Sequence, residues 1–319
     1  MRRPWWDPRA AGLLLGYAAD RWWGDPRRFH PVAGFGAAAS ALEERLYADS
    51  RPRGVAHTAL LVGAAAGVGI VLEKATASHP VMRTAVTALA TWTVLGGRSL
   101  EREATAVGDL LAAGDLPGAR GRLTSLVGRD TSVLDASQVA RAVVESVAEN
   151  TSDAVVAPLV WGAVAGTPGL LVHRAVNTLD AMVGHRDTRY LRFGWASARL
   201  DDLLNLPGAR LTGVLAAFAL PGRTGAALRA WSRDAGSHPS PNAGVVESSF
   251  AGALGVRLGG TNRYGTRIEH RPTMGEGRPA GPSDIPRATA LARRVGLGAV
   301  LVAAGAAAAA AVIGRSDGR

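Results

Sequence analysis

The chain of 319 residues is 47% hydrophobic yet only 5% aromatic and 19% charged, and it carries a formal net charge of +10. It has no cysteine, which excludes disulfides, thiolate nucleophiles and cysteine-ligated metals. Lys74 is the only lysine, so the basic excess is arginine; without a basic helix, a zinc signature or an aromatic-studded sheet pattern it does not read as a nucleic-acid footprint. Attraction to anionic lipid and to a phosphate-bearing substrate accounts for it instead.

Residues 10–19 are apolar but short, with Trp5, Trp6, Trp22 and Trp23 on either side, the composition of an interfacial aromatic belt. A helix lying on the membrane fits the same pattern. No small-residue cleavage site precedes residues 20–26, which argues against a removed signal peptide. Residues 20–31 (DRWWGDPRRFHP) follow, either as an interfacial loop of Asp–Arg pairs or as a functional segment. Residues 54–72 and 295–314 carry no formal charge over 19 and 20 positions, close to the roughly 20 residues that cross a hydrocarbon core. Residues 80–97 are interrupted only by Arg83, which can snorkel to the headgroups. Residues 154–172 are apolar but broken by Thr167-Pro168-Gly169, and residues 206–222 carry Arg210 between Pro207 and Pro221.

Arginines crowd residues 21–53, 98–141, 174–199 and 223–294, and the positive-inside rule assigns all four segments to the cytoplasmic side. Residues 54–72 and 80–97 then form a hairpin. Residues 154–172 cannot cross once and leave both flanks inside, so they are expected to be re-entrant, broken at Pro168-Gly169, with the polar segments on either side converging on one cytoplasmic-facing site. The expected fold is an all-α integral membrane protein, a polytopic helical bundle with broken or re-entrant helices and cytoplasmic-side loops. A soluble Ala-rich helical protein is the alternative. The expected division is an N-terminal membrane region (1–97), an amphipathic segment ending in acids (98–153), broken membrane segments (154–222), a loop region (223–294) and a C-terminal transmembrane helix with its tail (295–319).

Residues 141–186 place Glu145, Glu149, Asn150, Asp153, Asn177 and Asp180 in Ala/Val-rich sequence. On a helix Arg141, Glu145 and Glu149 share one face, and Asp153 would extend it by a turn. Carboxylates with so little water must be paired, protonated or holding a cation. Further along, HPSPNAG (238–244) precedes an apolar helix carrying Glu247; rigid turns before a helix start leave N–H groups free for a phosphate, or else form a plain capping loop. Residues 258–267 (LGGTNRYGTR) make a Gly-rich basic loop that is not a Walker A motif, since no Gly-Lys-Ser/Thr occurs. In RLDDLLN (199–205) the adjacent Asp201 and Asp202 must face different sides of a helix, so that one can serve a ligand while the other is solvated. The histidines lack metal-ligand spacing, and no histidine-bound zinc is expected.

Four segments, GYAADRWWGDPRRFHPV, RAVVESVAENTSDAVVAPLVWGAVAGTPGLLVHRAVNTLDAMVGHR, ARLDDLLNLPGARLTG and HPSPNAGVVESSFAGALGVRLGG, resemble in order the integral-membrane adenosylcobinamide-phosphate synthases of the cobalamin pathway. ESVAENTSD, NTLD and HPSPNAG are specific in combination. The chain departs at His185, where the family more often has an aromatic residue. The resemblance implies an amide ligase of the cytoplasmic membrane. It would join the propionate carboxyl of adenosylcobyric acid, a cobalt-bearing corrinoid, to an aminopropanol that carries a phosphate in most described pathways, with ATP and Mg²⁺ driving the condensation. It also leaves room for association with the later nucleotide-loop assembly enzymes.

On this reading Glu145, Glu149, Asn150, Asp153, Asn177, Asp180 and Glu247 are the candidate catalytic residues, and Glu145, Glu149, Asp153 and Asp180 the carboxylates offered to Mg²⁺. His30, Arg141, Arg174, Arg186, Asp202, His238, Ser240 and Asn242 are the candidate substrate contacts. Arg141, Arg174 and Arg186 would steady phosphate charge during transfer, and Glu247 or His238 would take the proton of the amine. A transporter of an anionic solute would use the same intramembrane acids as a proton relay, and a membrane scaffold would leave them unexplained.

Overall fold

Prolines set the helix starts. Pro8, Pro31, Pro52, Pro80 and Pro117 each occupy the first turn of a helix, where a missing N–H costs no hydrogen bond. A computed structural model describes residues 6–25, 30–185, 187–264 and 267–316. In chain order its helices are α1 (Pro8–Trp23), α2 (Pro31–Leu46), α3 (Arg51–Ala75), α4 (Pro80–Val94), α5 (Gly97–Ala112), α6 (Leu116–Leu123), α7 (Ala136–Thr151), α8 (Ala157–Val183), α9 (Trp195–Phe218), α10 (Thr224–Asp234), α11 (Ala243–Leu254) and α12 (Ile285–Ser316). A π turn, Ser152–Val156, joins α7 to α8. The chain forms two units: Met1–Gly96, Ala157–Asn205 and Ala299–Arg319 in the first, Gly97–Val156 and Leu206–Gly298 in the second.

Among the described residues three stretches are long and apolar enough to cross a membrane: Arg51–Ala75, Ala136–Val183 and Pro282–Ile313. They contain the uncharged run 54–72 and, but for its last residue, the run 295–314. Leu60, Val68 and Val71 on α3 and Leu301, Val312 and Ile313 on α12 are exposed, an arrangement that suits lipid rather than water. The run expected over 80–97 is shorter than foreseen, because α4 ends at Val94 after 15 residues.

In the first unit α1 packs on α4 through Gly12 and Gly16, which lie against Thr87 and Thr91; a Cβ on Gly12 would come 2.5 Å from the Cβ of Thr87. Small residues one turn apart let two helix backbones approach closely. The chain reverses within α8. Gly166 adopts φ 64° and ψ −146°, a conformation glycine tolerates without penalty. Gly169 returns against the Trp161 carbonyl and the Leu170 side chain meets Gly162. The break therefore falls at Gly166, just before the Pro168-Gly169 expected from the sequence. Arg9 caps the end of the first arm by donating to the carbonyls of Ala163 (3.1 Å) and Val164 (3.4 Å), and it pairs with Glu73, which also holds Arg83. The tip of the hairpin thus lies level with the C-terminal end of α3.

At that tip Gly69 of α3 meets Pro168, whose Cα lies 2.5 Å from where an added Cβ would sit. Because the obstacle is backbone, Gly69→Ala is expected to cost about 1–3 kcal/mol through displaced packing. A thermal midpoint in detergent equal to wild type would show that α3 and α8 do not pack this tightly.

The second unit departs from the all-α expectation. Strands β1 (Val256–Tyr264), β2 (Arg267–Met274) and β3 (Arg278–Pro279) form a small sheet in the order β2-β1-β3, antiparallel between β1 and β2 and parallel between β1 and β3. The sheet occupies the Gly-rich basic segment read as a loop. A bulge between Leu258 and Gly260 needs its glycines, since Gly259 has φ 83° and a side chain there would strike the Pro272 carbonyl. Beside the sheet, α11 is buried on every side from Gly244 to Leu254, and α10 approaches it closely at Gly252. α7 starts with an Asp135/Gln138 capping box and buries Val139, Val143, Val144 and Val147.

Candidate functional site

The second unit gathers its polar groups where α7, α11 and the bulged strand meet. Arg141, Glu145 and Glu149 do share a face of α7, as their spacing predicts, but two of the three are engaged by the protein itself. Glu145, 2% exposed, accepts a short hydrogen bond from Arg129 and one of 2.9 Å from the Gly259 N–H, with Arg141 Nε at 3.7 Å. Arg141 donates to the carbonyls of Gly259 and Thr261. The glycine pair that resembled a phosphate loop is therefore a bulge clamped to α7 by an arginine and a glutamate. Asn150 turns back onto Ser146, donating to its carbonyl and hydroxyl. Asp153 lies in the π turn, where the α-helical repeat of the acidic face has ended; such turns recur at functional sites.

Glu149 remains partly open, its side chain 35% exposed, with Arg271 Nη1 at 3.7 Å. The same nitrogen stands 3.7 Å from Glu247, and Arg271 Nε is 3.6 Å from Glu269. Glu247 is wholly buried, and neither of its carboxyl oxygens has a hydrogen-bond partner among the described residues. Burial, and then the charges of Glu149 and Glu145, push its carboxyl well above the ordinary value of 4.5. His238 Nε2 lies 3.7 Å from Glu247. Burial, followed by the Arg271 charge, lowers the His238 pKa and favours the neutral ring. Its Nδ1 lies 3.0 Å from the Ser240 nitrogen and 3.3 Å from the Ser240 carbonyl oxygen, which fixes the ring with Nε2 turned toward Glu247.

The expected phosphate site at the start of α11 takes a different form. Ser240 Oγ accepts from the N–H groups of Asn242 (3.3 Å) and Ala243 (3.2 Å), and Arg210 donates to Asn242 Oδ1 at 2.8 Å. HPSPNAG therefore caps the helix and presents His238 to Glu247.

The first unit holds its own polar cluster on α8 and α9. Asp201 accepts from Asn205 (2.9 Å) and Asn177 (3.4 Å), and Asn205 Oδ1 faces His173 Nε2 at 2.8 Å. Asn205 spends its N–H groups on Asp201, so His173 donates from Nε2, leaving its buried Nδ1 with no partner among the described residues. Asp180 and Asp202 act on Asp201 electrostatically. Of the two adjacent aspartates, Asp201 is thus the one turned into the cluster, whereas Asp202 faces Arg199 at 3.9 Å. Arg174 is mostly withdrawn from solvent and feels the Asp25 charge. His30 caps α2, its Nδ1 accepting from Val32 N–H at 3.2 Å. Arg186 lies outside the described residues, as do Pro26 to Phe29 of the DRWWGDPRRFHP segment.

Burial first, and then the Asp180 charge, raise the Asp201 carboxyl to about 7 from an ordinary 3.8. A carboxyl whose folded pKa lies above its unfolded one is fully tolerated below pH 3.8 and costs stability as pH rises from there through about 7. Wild-type thermal midpoints should therefore decline over that window, and Asp201→Asn should decline less. Parallel slopes for the two proteins would show that Asp201 is not held in this environment.

Sequence spacing alone missed Arg129 and Arg271, which reach the acids of the second unit from outside α7 and α11, and His173, which joins the cluster of the first unit through Asn205. Among the described residues no three His, Asp or Glu side chains are grouped so as to hold a metal. Arginines stand beside Glu145, Glu149 and Glu247.

Residues 13–292 match the family model described as CobD/Cbib protein. The chain is similar to the cobalamin biosynthesis protein CobD of Mycobacterium tuberculosis, 51% identical over 93% of this chain and 96% of that protein. It is 47% identical to the protein of the same name from Geobacter metallireducens and 45% identical to that of Rhodobacter capsulatus, each over 86% of this chain and 88% of the relative. No solved structure matches.

Proposed function

The chain belongs to the CobD/Cbib protein family of cobalamin biosynthesis, and from that premise we propose that it is an ATP-dependent ligase forming an amide between a corrinoid propionate and an amino alcohol or its phosphate. A carboxylate is a poor electrophile. Transfer of the γ-phosphoryl group of ATP to it gives an acyl phosphate and ADP. The amine then attacks the acyl carbon, phosphate leaves, and the surplus ammonium proton passes to a base. Adenosylcobyric acid would give adenosylcobinamide or its phosphate.

The observation that carries this reading is Glu247, a fully buried carboxyl whose pKa burial and the neighbouring Glu149 and Glu145 push well up, with His238 Nε2 3.7 Å away. An acid held in this way binds a proton readily, which is what the deprotonation step requires. Mg²⁺ would accompany the phosphates of ATP, with the partly open Glu149 the carboxylate best placed to help hold it. Arg271 supplies fixed positive charge beside Glu149, where phosphate charge could be steadied. The three apolar helical stretches support a multi-pass location in the cytoplasmic membrane. The partners in this reading are the corrinoid, the amine and lipid, with no nucleic acid, and association with the enzymes that next extend the product is compatible with it.

The test is mass spectrometry of a corrinoid carboxylate incubated with purified protein, ATP and candidate amines. The expected result is an ATP-dependent mass gain equal to the amine less water. Absence of product with every amine, together with solute flux in proteoliposomes that needs no ATP, would replace the ligase with a transporter.

A further inference from the structure

In the first unit the packed pair α1 and α4 ends in polar groups at both sides, and the two ends lie closer together than a bilayer core is thick. At one end Arg9 pairs with Glu73, which also holds Arg83. At the other, Trp22 and Trp23 are 76% and 71% exposed, the Trp23 ring meets Trp92 edge-on at 6.1 Å, and Trp92 donates to the Gly24 carbonyl at 2.8 Å. Tryptophan rings settle at the headgroup level, where the ring body finds apolar contact and the N–H finds a partner. From Arg9 to Trp22 the rise along α1 is about 20 Å, and from Arg83 to the end of α4 at Val94 it is about 17 Å. A bilayer core measures about 30 Å. The neighbouring α3 starts from the same level at Glu73 and rises about 30 Å before it reaches Arg53, so it fits that core. Leu14, Leu15 and Leu89 are exposed on the short pair, as Leu60 and Val68 are on α3, and lipid can cover both. A flat bilayer that fits α3 would put Arg21 and the tryptophans under about 10 Å of hydrocarbon, a cost that local thinning removes.

We propose that the α1–α4 face is a lipid-binding surface that holds the bilayer about 10 Å thinner than it is beside α3. The thinning serves the polar cluster of this unit. Asp180 lies about 21 Å along α8 from the break at Gly166, which stands beside Glu73, so a thinned leaflet lies level with it where a full core would cover it. The proposal rests on the membrane location and is independent of the reaction. Because the chain has no cysteine, nitroxide labels can be placed singly. The test is the full chain in dioleoyl phosphatidylcholine vesicles, labelled at Trp22→Cys on α1 or at Val55→Cys on α3, a position 44% exposed. Depth is read by power saturation with oxygen and with a water-soluble nickel chelate. Both labels should sit at the headgroups, their nickel accessibilities agreeing within about twofold, although Trp22 is about 7 Å nearer the level of Glu73. Longer dierucoyl chains should bury the Trp22→Cys label before the Val55→Cys label. Should Trp22→Cys fail to fold, Trp23→Cys carries the same comparison. A Trp22→Cys label dominated by oxygen in dioleoyl lipid, with Val55→Cys at the surface, means a flat bilayer and overturns the proposal. Spin–spin broadening between Leu15→Cys labels also overturns it, by making a second copy of the chain the occupant of this face. Release of the chain from membranes by a carbonate wash would remove the membrane location itself, whereas retention with a submerged Trp22→Cys label removes the thinning alone.

Discussion

Glu247→Gln is expected to give a folded protein in which ligation has fallen by about 10²–10⁴-fold, the range over which a positioned base contributes. Glutamine keeps the shape of the side chain in a site with no room for a larger one, since Glu247 is 0% exposed. It cannot take the proton of the amine. The fold should not suffer, because the charged carboxylate is disfavoured there by burial and by Glu149 and Glu145. An acid with a raised folded pKa costs stability as pH climbs above its ordinary 4.5. The variant should therefore match wild type in acid and exceed it at neutral pH. Arg271 is not stranded by the change, since Glu149 and Glu269 remain beside it. Thermal midpoints across pH and initial rates of amide formation together decide the matter. A destabilised but active variant would make Glu247 the structural partner of Arg271 and remove it from the chemistry.

Much of the architecture could be read from residue patterns, and the gaps have physical causes. The uncharged runs at 54–72 and 295–314 became α3 and part of α12, because length and apolarity are one-dimensional properties. Thr167-Pro168-Gly169 announced a break in α8, but the residue that turns the chain is Gly166, identified by its φ and by the arms that fold back around it. The sheet escaped notice because Leu258-Gly-Gly-Thr has the composition of a loop and glycine is a poor strand former. The reason for the glycines, a positive φ at Gly259 and Gly260 and the Pro272 carbonyl against Gly259, exists only once the strands have paired. The pair Asp201-Asp202 had to present one side chain inward, yet the rotation of α9 that selects Asp201 is set by packing remote in sequence. Arg129 and Arg271 carry no local signature that would link them to Glu145 and Glu247. Their roles appear once the chain has folded.

Glu145 and Glu149 lie one turn apart on α7, and neutralising them should have opposite consequences. Glu145→Gln removes the charge that holds Arg129, whose side chain is 5% exposed, and weakens the clamp on the Gly259 bulge. Breaking a buried pair from one side costs roughly 3–5 kcal/mol, so this variant should reach the membrane poorly and lose its thermal transition. Glu149 is 35% exposed on its side chain and stands 3.7 Å from an arginine that keeps two other acids. Its pairing is worth no more than about 1 kcal/mol. Glu149→Gln should accordingly insert and melt like wild type, while ligation drops by at least about tenfold if this open carboxylate works on the nucleotide or the amine. Yield in the membrane fraction, the melting midpoint and the rate per folded molecule separate the two outcomes. A stable Glu145→Gln protein with lost activity would return Glu145 to the reacting groups, and a fully active Glu149→Gln protein would leave Glu247 and His238 as the reacting pair of this unit.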